Sequence, residues 1–290
     1  MNNVNKNQVR RLFIFAGYDP AGIVDDAELM YVRALAAQGD VIYVMDSDAD
    51  AAQIARVQKI PNVIHATGVR HGEYDFGSYK RGYQYARDKN ILGNYDVVYM
   101  VNNSVYGPLG DMSQTLARME AKNTDAFGPT VHPNSGGTYI ESWFLGMRPS
   151  VFATPWFDKF ISGVKPQPHK GHVIFLYERG FTNNVVAHGL GFSGLFSCRG
   201  RGIYNRVKSL YKRGLPFIKR NAFVRHGGAL GRQISYVLRH TDPQSRAAIL
   251  DNARRVYGEK YISGMLTRNP IKIAYRNIAY MIAKLTKVKK

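Results

Sequence analysis

The sequence predicts an α/β fold, with helices on both faces of a largely parallel sheet, followed by a basic α-helical C-terminal extension. Short apolar segments alternate with segments of helical periodicity through the first 121 residues. The charge is divided unevenly: residues 1–198 carry 18 Lys and Arg against 18 Asp and Glu, and residues 199–290 carry 22 against 3. The whole net charge of +19 therefore lies in the C-terminal part, which predicts domains at 1–198 and 199–290.

The predicted elements follow this alternation from the N-terminus. Asp25 or Asp26 supplies an N-cap for the first helix, and Gly39 ends it. After the last of these strand and helix pairs come loops rich in Gly and Pro, a long apolar strand at 139–147 and a helix at 178–188. The earlier strands are expected at 11–16, 41–45, 62–66 and 97–101, and the earlier helices at 25–38, 51–59, 77–89 and 111–121.

The C-terminal part is expected to be helical, and its last helix is amphipathic. A shorter segment, 203–212, repeats the design with Val207, Leu210 and Tyr211 on its apolar side, opposed by Arg206, Lys208 and Arg213. Such helices suit the surface of an anionic membrane. The alternative is that the apolar stripes pack on the rest of the protein while the cations face water. The stripe of the last helix is Ile271, Ala274, Tyr275, Ile278, Met281, Ile282 and Leu285, and its cations are Lys272, Arg276, Lys284 and Lys287.

Cysteine usage and the first residues indicate a compartment. Cys198 is the single cysteine, so an intramolecular disulfide framework is excluded, which fits a reducing environment. Residues 1–9 are polar and lack the apolar segment of a secretory signal, and no run reaches the roughly 20 apolar residues of a membrane span. We expect a cytoplasmic protein whose membrane contact is peripheral.

Two strings are the strongest indication of a ligand site. Residues 73–82 (EYDFGSYKRG) place an acid, two glycines and two cations where a loop enters a helix, and free backbone N–H groups there favour a charged ligand. Residues 95–108 (YDVVYMVNNSVYGP) contain an apolar strand that runs into polar residues. Open α/β sheets bind ligands at the carboxyl ends of their strands. No dinucleotide-binding Gly-x-Gly-x-x-Gly or P-loop motif occurs, which disfavours both chemistries.

In these strings, and more weakly at 141–148 (ESWFLGMR), the chain resembles the rhamnan synthesis protein F family of bacterial polysaccharide glycosyltransferases. The resemblance covers residues 12–192. It implies a GT-A-like nucleotide-sugar-binding fold, a nucleotide-sugar donor with dTDP-rhamnose favoured, and a lipid-linked saccharide acceptor. Together with the cysteine usage and the basic C-terminal helices, it predicts a protein that works on the inner face of the cytoplasmic membrane. Two departures are Asn103, where the family commonly has Asp, and Glu141, where it commonly has Gln.

The donor is expected to meet residues that follow the strands or begin the helix after them. Asp75 is the first candidate, because a carboxylate beside Gly77 can accept hydrogen bonds from sugar hydroxyls; a helix N-cap is the competing interpretation. Lys80 or Arg81 is expected to neutralise diphosphate charge, or simply to be a solvated helix residue. The donor-binding candidates are Asp46, Asp75, Gly77, Tyr79, Lys80, Arg81, Asn102, Asn103 and Ser104.

Metal binding is expected to be weak. Asp46, Asp48 and Asp50 form an Asp-x-Asp pattern whose hard oxygen ligands suit Mg²⁺ or Mn²⁺. The pattern follows the second strand, where GT-A-like folds contact the nucleoside, and the usual metal position after the fourth strand holds amides and a hydroxyl. Asp46 is therefore a candidate nucleoside contact, Asp46 and Asp48 are weak metal candidates, and Asp48 and Asp50 are more simply cap and surface residues.

The catalytic base is expected on the acceptor side. Glu178 is the candidate, because the GT-A pattern places an acid at the start of a helix under the acceptor, where an inverting transfer needs a base within hydrogen-bond reach. The competing interpretation is a first-turn Glu that stabilises its own helix dipole. Glu141 is the second candidate, and Ser142 and Trp143 are acceptor-side candidates on the same strand, although a Trp in such a strand is more often a core residue than a sugar platform.

Two other functions stay open at this stage. The C-terminal aromatic residues Tyr204, Tyr211, Phe217, Phe223 and Tyr236 lie among cations, as in a nucleic-acid-binding surface. That function leaves the two strings unexplained. A non-catalytic membrane scaffold with a degenerate transferase fold is the third interpretation, suggested by the missing carboxylate at Asn103.

Overall fold

The computed structural model describes residues 9–224 and 230–287 and divides the chain into two compact units. The sheet unit comprises Met1–Val24, Val32–Asn103 and Leu116–Ser197. The helical unit comprises Asp25–Tyr31, Ser104–Thr115 and Cys198–Lys290. The helical unit thus combines the C-terminal segment with two segments, Asp25–Tyr31 and Ser104–Thr115, that the sequence analysis placed in the N-terminal domain.

Ten strands and fourteen helices make up the described chain, together with three short segments of other helical type. The strands are β1 (Arg11–Gly17), β2 (Asp40–Met45), β3 (Val63–Gly68), β4 (Val97–Asn102), β5 (Val105–Tyr106), β6 (Ala126–Asn134), β7 (Gly137–Ile140), β8 (Phe144–Met147), β9 (Phe192–Ser197) and β10 (Ile218–Lys219). The helices are α1 (Asp26–Ala36), α2 (Ala51–Gln58), α3 (Tyr74–Asp88), α4 (Met112–Glu120), α5 (Pro149–Phe152), α6 (Pro155–Ser162), α7 (Lys170–Val173), α8 (Gly180–Ala187), α9 (Gly202–Asn205), α10 (Val207–Lys212), α11 (Leu230–Arg239), α12 (Pro243–Tyr257), α13 (Glu259–Met265) and α14 (Pro270–Lys287). The other segments are 3-10 turns at Leu92–Asn94 and Arg220–Ala222 and a π-helical turn at Ile174–Arg179.

The sheet unit contains one mixed eight-stranded sheet in the order β3-β2-β1-β4-β8-β6-β7, with β9 paired to β6. Strands β3, β2, β1 and β4 are mutually parallel, and β8 is antiparallel to both β4 and β6. The α/β class and the first four strands are confirmed. Strands β1, β2 and β4 are buried almost throughout, as strands covered on both faces must be, whereas β3 is mostly half-buried.

Helix α3 lies close against β1 because Gly82 has no side chain. A Cβ atom at this position would come within 2.3 Å of Ile14 Cγ2 and 3.3 Å of Ile42 Cγ2. Tyr79 and Tyr83, on the same face of α3, are buried in the core of the sheet unit. The second glycine of the predicted string therefore sets the separation of the helix from the sheet.

Three predicted elements differ from the structure. The single strand expected at 139–147 is two strands, β7 and β8, separated by residues 141–143. The helix expected to start at Glu178 is the end of a longer run that begins at α7, continues through the π-helical turn and ends with α8. The segment expected to be loop after Asp125 contains β6, whose Gly and Pro residues masked its strand character.

The helical unit packs around its own apolar core, to which α10, α11, α12 and α13 contribute. A polar network links distant parts of its sequence: the Tyr106 hydroxyl donates to Asn252, Asn252 donates to Asp25, and Arg255 donates to Asp25 over 2.9 Å. Val207 and Leu210 of α10 lie in the core, so the suggestion that this helix offers an apolar face to a membrane is wrong. Within residues 9–224 and 230–287, no helix has the length and apolar character to cross a bilayer.

Substituting Gly82→Ala tests the contact between α3 and β1. The added methyl group overlaps Ile14, so we expect the free energy of unfolding in urea to fall by about 1–3 kcal/mol. Gly93→Ala is the matched control, because a Cβ there meets no atom within 4 Å, and we expect a change within about 0.5 kcal/mol. Equal stability of the two variants would contradict close packing at Gly82.

Candidate functional site

Strand order in the sheet unit reverses between β1 and β4. The chain runs from β1 to β2 and β3 on one side and then returns to add β4 on the other side of β1. A crevice forms outside the carboxyl ends of strands at such a switch point, and open α/β sheets bind ligands there. Asn103, just after β4, joins the two sides: its backbone N–H donates to the Ala16 carbonyl over 3.2 Å, and its Nδ2 donates to the Tyr18 carbonyl over 2.9 Å.

Asp75 and Asn102 meet at this edge of the sheet. Asn102, the last residue of β4, donates from Nδ2 to Asp75 Oδ2 over 3.0 Å, and Asp75 lies in the first turn of α3. Asn102 is buried, whereas Asp75 is half-buried. The two predicted strings are thereby brought into one polar cluster, with a carboxylate at its more accessible end.

Asp46 is buried at the carboxyl end of β2, where it holds the loop that enters α3. Its Oδ1 accepts hydrogen bonds from the backbone N–H groups of His71 and Gly72, each 2.8 Å long. The neighbouring Asp48 accepts from the backbone N–H of Arg70 over 3.0 Å, and Asp50 caps α2 through the Gln53 N–H. The cap role suggested for Asp50 is confirmed, and Asp46 and Asp48 support the loop.

Glu73 binds both cations of the predicted string. Lys80 Nζ and Arg81 Nη1 lie 2.6 and 2.7 Å from Glu73 Oε2, and Lys80 also donates to the Val164 carbonyl over 2.8 Å. Burial by itself raises the pKa of Glu73, but the hydrogen bonds from Lys80 and Arg81 outweigh burial and hold that pKa below its ordinary value. The structure therefore gives both cations a partner inside the protein in place of the diphosphate.

Gly77 and Tyr79 have structural roles that the sequence did not reveal. A Cβ at Gly77 would lie 2.2 Å from Glu73 Cβ and 2.7 Å from the His71 ring, so only glycine lets the loop approach α3. Tyr79 is fully buried, and its hydroxyl donates to the Ser142 carbonyl over 2.9 Å. The expectation that Tyr79 contacts the donor is corrected, because its side chain has no surface to offer a ligand.

Glu178 is oriented by Ser142. The backbone N–H and the hydroxyl of Ser142 donate to Glu178 Oε2 over 3.0 and 2.5 Å. Ser142 lies just before β8, which pairs antiparallel with β4 so that Phe144 faces Val101. Residues 141–143 therefore reach the carboxyl end of β4, and the Asn102 N–H donates to the Trp143 carbonyl over 3.1 Å. Glu178 and Asp75 accordingly lie on the same edge of the sheet.

The surroundings of Glu178 correct one expectation. Because Glu178 lies in a π-helical turn inside a continuous helical run, it does not begin a helix, and the interpretation as a first-turn residue that stabilises its own dipole falls as well. Single π-helical turns occur frequently at functional sites. In this run the side chains at every fourth position point into the core: Val173, Tyr177, Phe181 and Val185. Phe175 and Leu176, whose side chains are exposed, precede Glu178 by three and two residues.

The remaining acceptor-side candidates differ in environment. Trp143 is buried and donates from its indole N–H to Thr130 Oγ1 over 2.9 Å, so it is a core residue and not a sugar platform. Glu141 is also buried, and its Oε2 accepts no hydrogen bond within the described part of the chain. Burying a carboxylate oxygen without a hydrogen-bond donor costs free energy. Glu141 therefore stays the second candidate for the catalytic base.

Ser104 belongs to the helical unit. Its hydroxyl accepts a hydrogen bond from Lys219 over 3.1 Å, and its carbonyl accepts one from the Arg220 N–H over 2.9 Å. The polar run after β4 is thus divided, with Asn102 and Asn103 in the sheet unit and Ser104 in the helical unit. Within the helical unit the Ser104 hydroxyl is bound by Lys219, and the donor-binding role of Ser104 stays a prediction.

The acids of the site do not form a metal centre by themselves. Across residues 9–224 and 230–287, no group of three or more His, Cys, Asp and Glu side chains is arranged to hold a metal ion. One carboxylate oxygen of Asp46 accepts hydrogen bonds from two backbone N–H groups, and one oxygen of Asp48 accepts a hydrogen bond from another backbone N–H group. These donors compete with a cation for the oxygens that it would need.

Two residues of the site, His71 and Arg70, were missed by sequence reasoning. The His71 ring accepts from the Glu73 N–H at Nδ1 (3.1 Å), so Nε2 carries the proton and donates to Ser78 Oγ (2.9 Å). Arg70 is half exposed, lies 3.7 Å from Asp46 and stacks over the Tyr18 ring at 5.5 Å. Neither residue belongs to a recognisable sequence motif. Only their position, between β3 and the segment that begins α3, could have indicated that they lie at the site.

Comparisons with known proteins agree with the sequence resemblance in part. The family model described as rhamnan synthesis protein F matches residues 41–284. This range runs into α14, so it includes the C-terminal helices that the resemblance at 12–192 left out. No curated protein matches the chain. Among solved structures, A197 from STIV aligns at 10% identity and a TM-score of 0.31, over 64% of this chain and 82% of that one, which carries no argument about fold. The GT-A-like assignment stays a prediction.

The neutral state of His71 predicts a pH dependence of stability. Burial is the main cause that lowers the His71 pKa, Arg81 and Lys80 act in the same direction, and Asp46 and Glu73 oppose them. Because the folded-state pKa is lower than the unfolded one of about 6.5, His71 contributes stability above pH 6.5, and this is lost as the pH falls through the folded-state pKa. We expect the unfolding free energy to fall less between pH 7 and 5 in His71→Gln than in the wild type. Parallel pH profiles would contradict a neutral buried imidazole.

Proposed function

Because the chain belongs to the rhamnan synthesis protein F family, we propose that it is a glycosyltransferase that moves rhamnose from a nucleotide-sugar donor to a lipid-linked saccharide. Family membership supports a role in rhamnan polysaccharide synthesis. The observation that carries the catalytic part of the proposal is the pair of half-buried carboxylates, Asp75 and Glu178, on the carboxyl edge of one sheet. One acid can bind the donor while the other activates the acceptor.

The donor is proposed to occupy the crevice between β1 and β4. Asp75 accepts hydrogen bonds from the hydroxyl groups of the donor, and Asn102 holds Asp75 in position through a 3.0 Å hydrogen bond. Asn103 fixes the backbone after β1 on the other wall of the crevice. Asp46 is proposed to hold the loop that enters α3, so it positions the site and does not itself contact the nucleoside.

Arg70 is proposed to meet the diphosphate. Lys80 and Arg81 are bound to Glu73, whereas the Arg70 side chain is 51% exposed and lies at the same edge as Tyr18 and Asp46. A guanidinium suits phosphate oxygens because it offers several donors in one plane. With this cation present, we expect Mg²⁺ or Mn²⁺ to have only a weak effect on donor binding.

Glu178 is proposed as the general base of an inverting transfer. The acceptor hydroxyl gives its proton to Glu178 while its oxygen forms a bond to the anomeric carbon of the sugar. The bond from that carbon to the diphosphate oxygen breaks, and the nucleoside diphosphate leaves with the electron pair. Ser142 holds the carboxylate with two hydrogen bonds, which is the kind of fixed orientation that a base requires. Phe175 and Leu176 offer the saccharide an exposed apolar surface next to this base.

The nucleic-acid-binding alternative loses support in the helical unit. Phe217 and Phe223, two of the five aromatic residues on which it depended, are buried. Tyr236 is covered by Lys208 and Lys212, whose Nζ atoms lie 4.2 and 5.5 Å from its ring centroid. A stacking surface for bases needs open aromatic faces.

Substituting Asp75→Asn tests the donor site. The change is nearly isosteric and preserves an acceptor for Asn102, but it removes the charged acceptor for the donor, so we expect roughly tenfold or greater loss of dTDP-rhamnose affinity by calorimetry. Asp88→Asn, at the exposed far end of α3, should bind as the wild type does. Each protein is measured in EDTA and again with Mn²⁺. Unchanged affinity in Asp75→Asn, or binding that occurs only with Mn²⁺, would refute this description of the site.

Glu178 and Glu141, the two candidate bases, can be tested against each other in one experiment. In Glu178→Gln, we expect donor affinity to persist and the rate of dTDP release on transfer to a lipid-diphosphate saccharide to fall by roughly 10²- to 10⁴-fold, the usual contribution of a positioned base. Glu141→Gln should be milder, because Glu141 is not oriented by Ser142. A dead Glu141→Gln enzyme beside an active Glu178→Gln enzyme would reverse the roles.

A further inference from the structure

Helix α14 exposes a row of large apolar side chains. Ile271, Tyr275, Ile278 and Ile282 are 78%, 76%, 58% and 57% exposed. Their spacing of four, three and four residues places them on one face of the helix, which is about 27 Å long at 1.5 Å per residue. Large apolar residues concentrated on one exposed helix face indicate an interaction surface, whereas isolated ones need no explanation.

The helix is attached to the helical unit through polar groups on its other side. Arg276 donates to the carbonyls of Gly264 and Met265, at 2.9 and 2.6 Å, at the end of α13. Asn269 caps the first turn, because its Oδ1 accepts from the backbone N–H groups of Ile271 and Lys272. This arrangement is the reverse of an amphipathic helix that packs on its own protein: a cation points inward and the apolar row outward.

The charge around this row decides what kind of partner fits it. Residues 270–290 contain six Lys and Arg and no Asp or Glu, and residues 199–290 carry 22 cations against 3 acids. A second copy of the chain would bring like charge against like charge. A nucleic acid would satisfy the cations but would leave the isoleucines in water. An anionic bilayer satisfies both, because its headgroups attract cations and its acyl boundary accepts apolar side chains.

We propose that α14 binds the surface of an anionic membrane, lying in the plane of the interface with Ile271, Tyr275, Ile278 and Ile282 inserted between the headgroups. Lys272 is exposed beside this row and can reach lipid phosphates. The inference does not depend on the proposed transferase activity, since it rests on the helix alone. It places one of the two sequence-predicted amphipathic segments at the membrane and leaves α10, whose stripe is buried, in the core.

Vesicle sedimentation tests this proposal with two proteins, the wild-type full chain and the double variant Ile271→Gln/Ile278→Gln. The vesicles are phosphatidylcholine alone or with phosphatidylglycerol. We expect the wild type to bind only the anionic vesicles, less tightly as salt rises. The double variant should bind them at least about tenfold more weakly, because two side chains no longer bury apolar surface. Circular dichroism checks its helix content, and both positions are exposed, so folding should persist.

Val186→Gln is the matched control, because Val186 is 56% exposed on α8 of the sheet unit, and its binding should equal that of the wild type. Equal binding of the wild type to neutral and anionic vesicles would overturn the proposal, as would a double variant that binds like the wild type. A wild-type dimer that dissociates in the double variant without any vesicle binding would also overturn it, and would assign the row to contact between copies.

Discussion

The geometry of the site depends on a buried carboxylate that holds backbone amides. Asp46 stands at the end of β2 and accepts from two consecutive N–H groups of the loop that leads from β3 to α3. That loop contains Gly72, at φ +71°, and is followed by Tyr74, at φ +58°. Residues other than glycine rarely adopt a positive φ. Backbone N–H groups outside a helix or strand need other acceptors, and the Asp46 carboxylate supplies one for His71 and Gly72. The position of Asp75 against Asn102 follows from where this loop is fixed.

A second constraint joins the proposed donor and acceptor sides of the sheet. Strand β8 runs antiparallel to β4, so the residues before β8 meet the residues after β4. Ser142 shows the result: its carbonyl accepts from Tyr79 of α3, and its N–H and hydroxyl donate to Glu178. One residue therefore contacts the helix that carries Asp75 and the helical run that carries Glu178. The positions of the two acids relative to each other therefore depend on where the pairing of β8 with β4 places Ser142.

Sequence reasoning located the parallel strands, because buried parallel strands are continuous apolar runs that end in polar residues, and it singled out the two strings that the Asn102–Asp75 hydrogen bond brings together. It failed where tertiary contacts override local pattern. In β6, Gly128 and a following proline suggest a loop, yet a Cβ at Gly128 would meet Ile140 and the Phe144 carbonyl at 2.7 Å, so the glycine permits close strand packing. Lys80 gave no sign that Glu73, seven residues earlier, would bind it. The position of Glu178 within a π-helical turn has no composition signal at all.

That turn has a consequence for the length of the segment. An α-helix has 3.6 residues per turn, so side chains four positions apart drift by roughly 40° at each step. The wider turn at Ile174–Arg179 offsets the drift, which keeps Val173, Tyr177, Phe181 and Val185 in one buried row. Glu178 and Thr182 form a parallel row that reaches Ser142 and the Ile140 N–H. The segment is consequently more sensitive to its residue count than to its composition: losing one residue would restore regular pitch and rotate Glu178 away from Ser142, even with every remaining side chain unchanged.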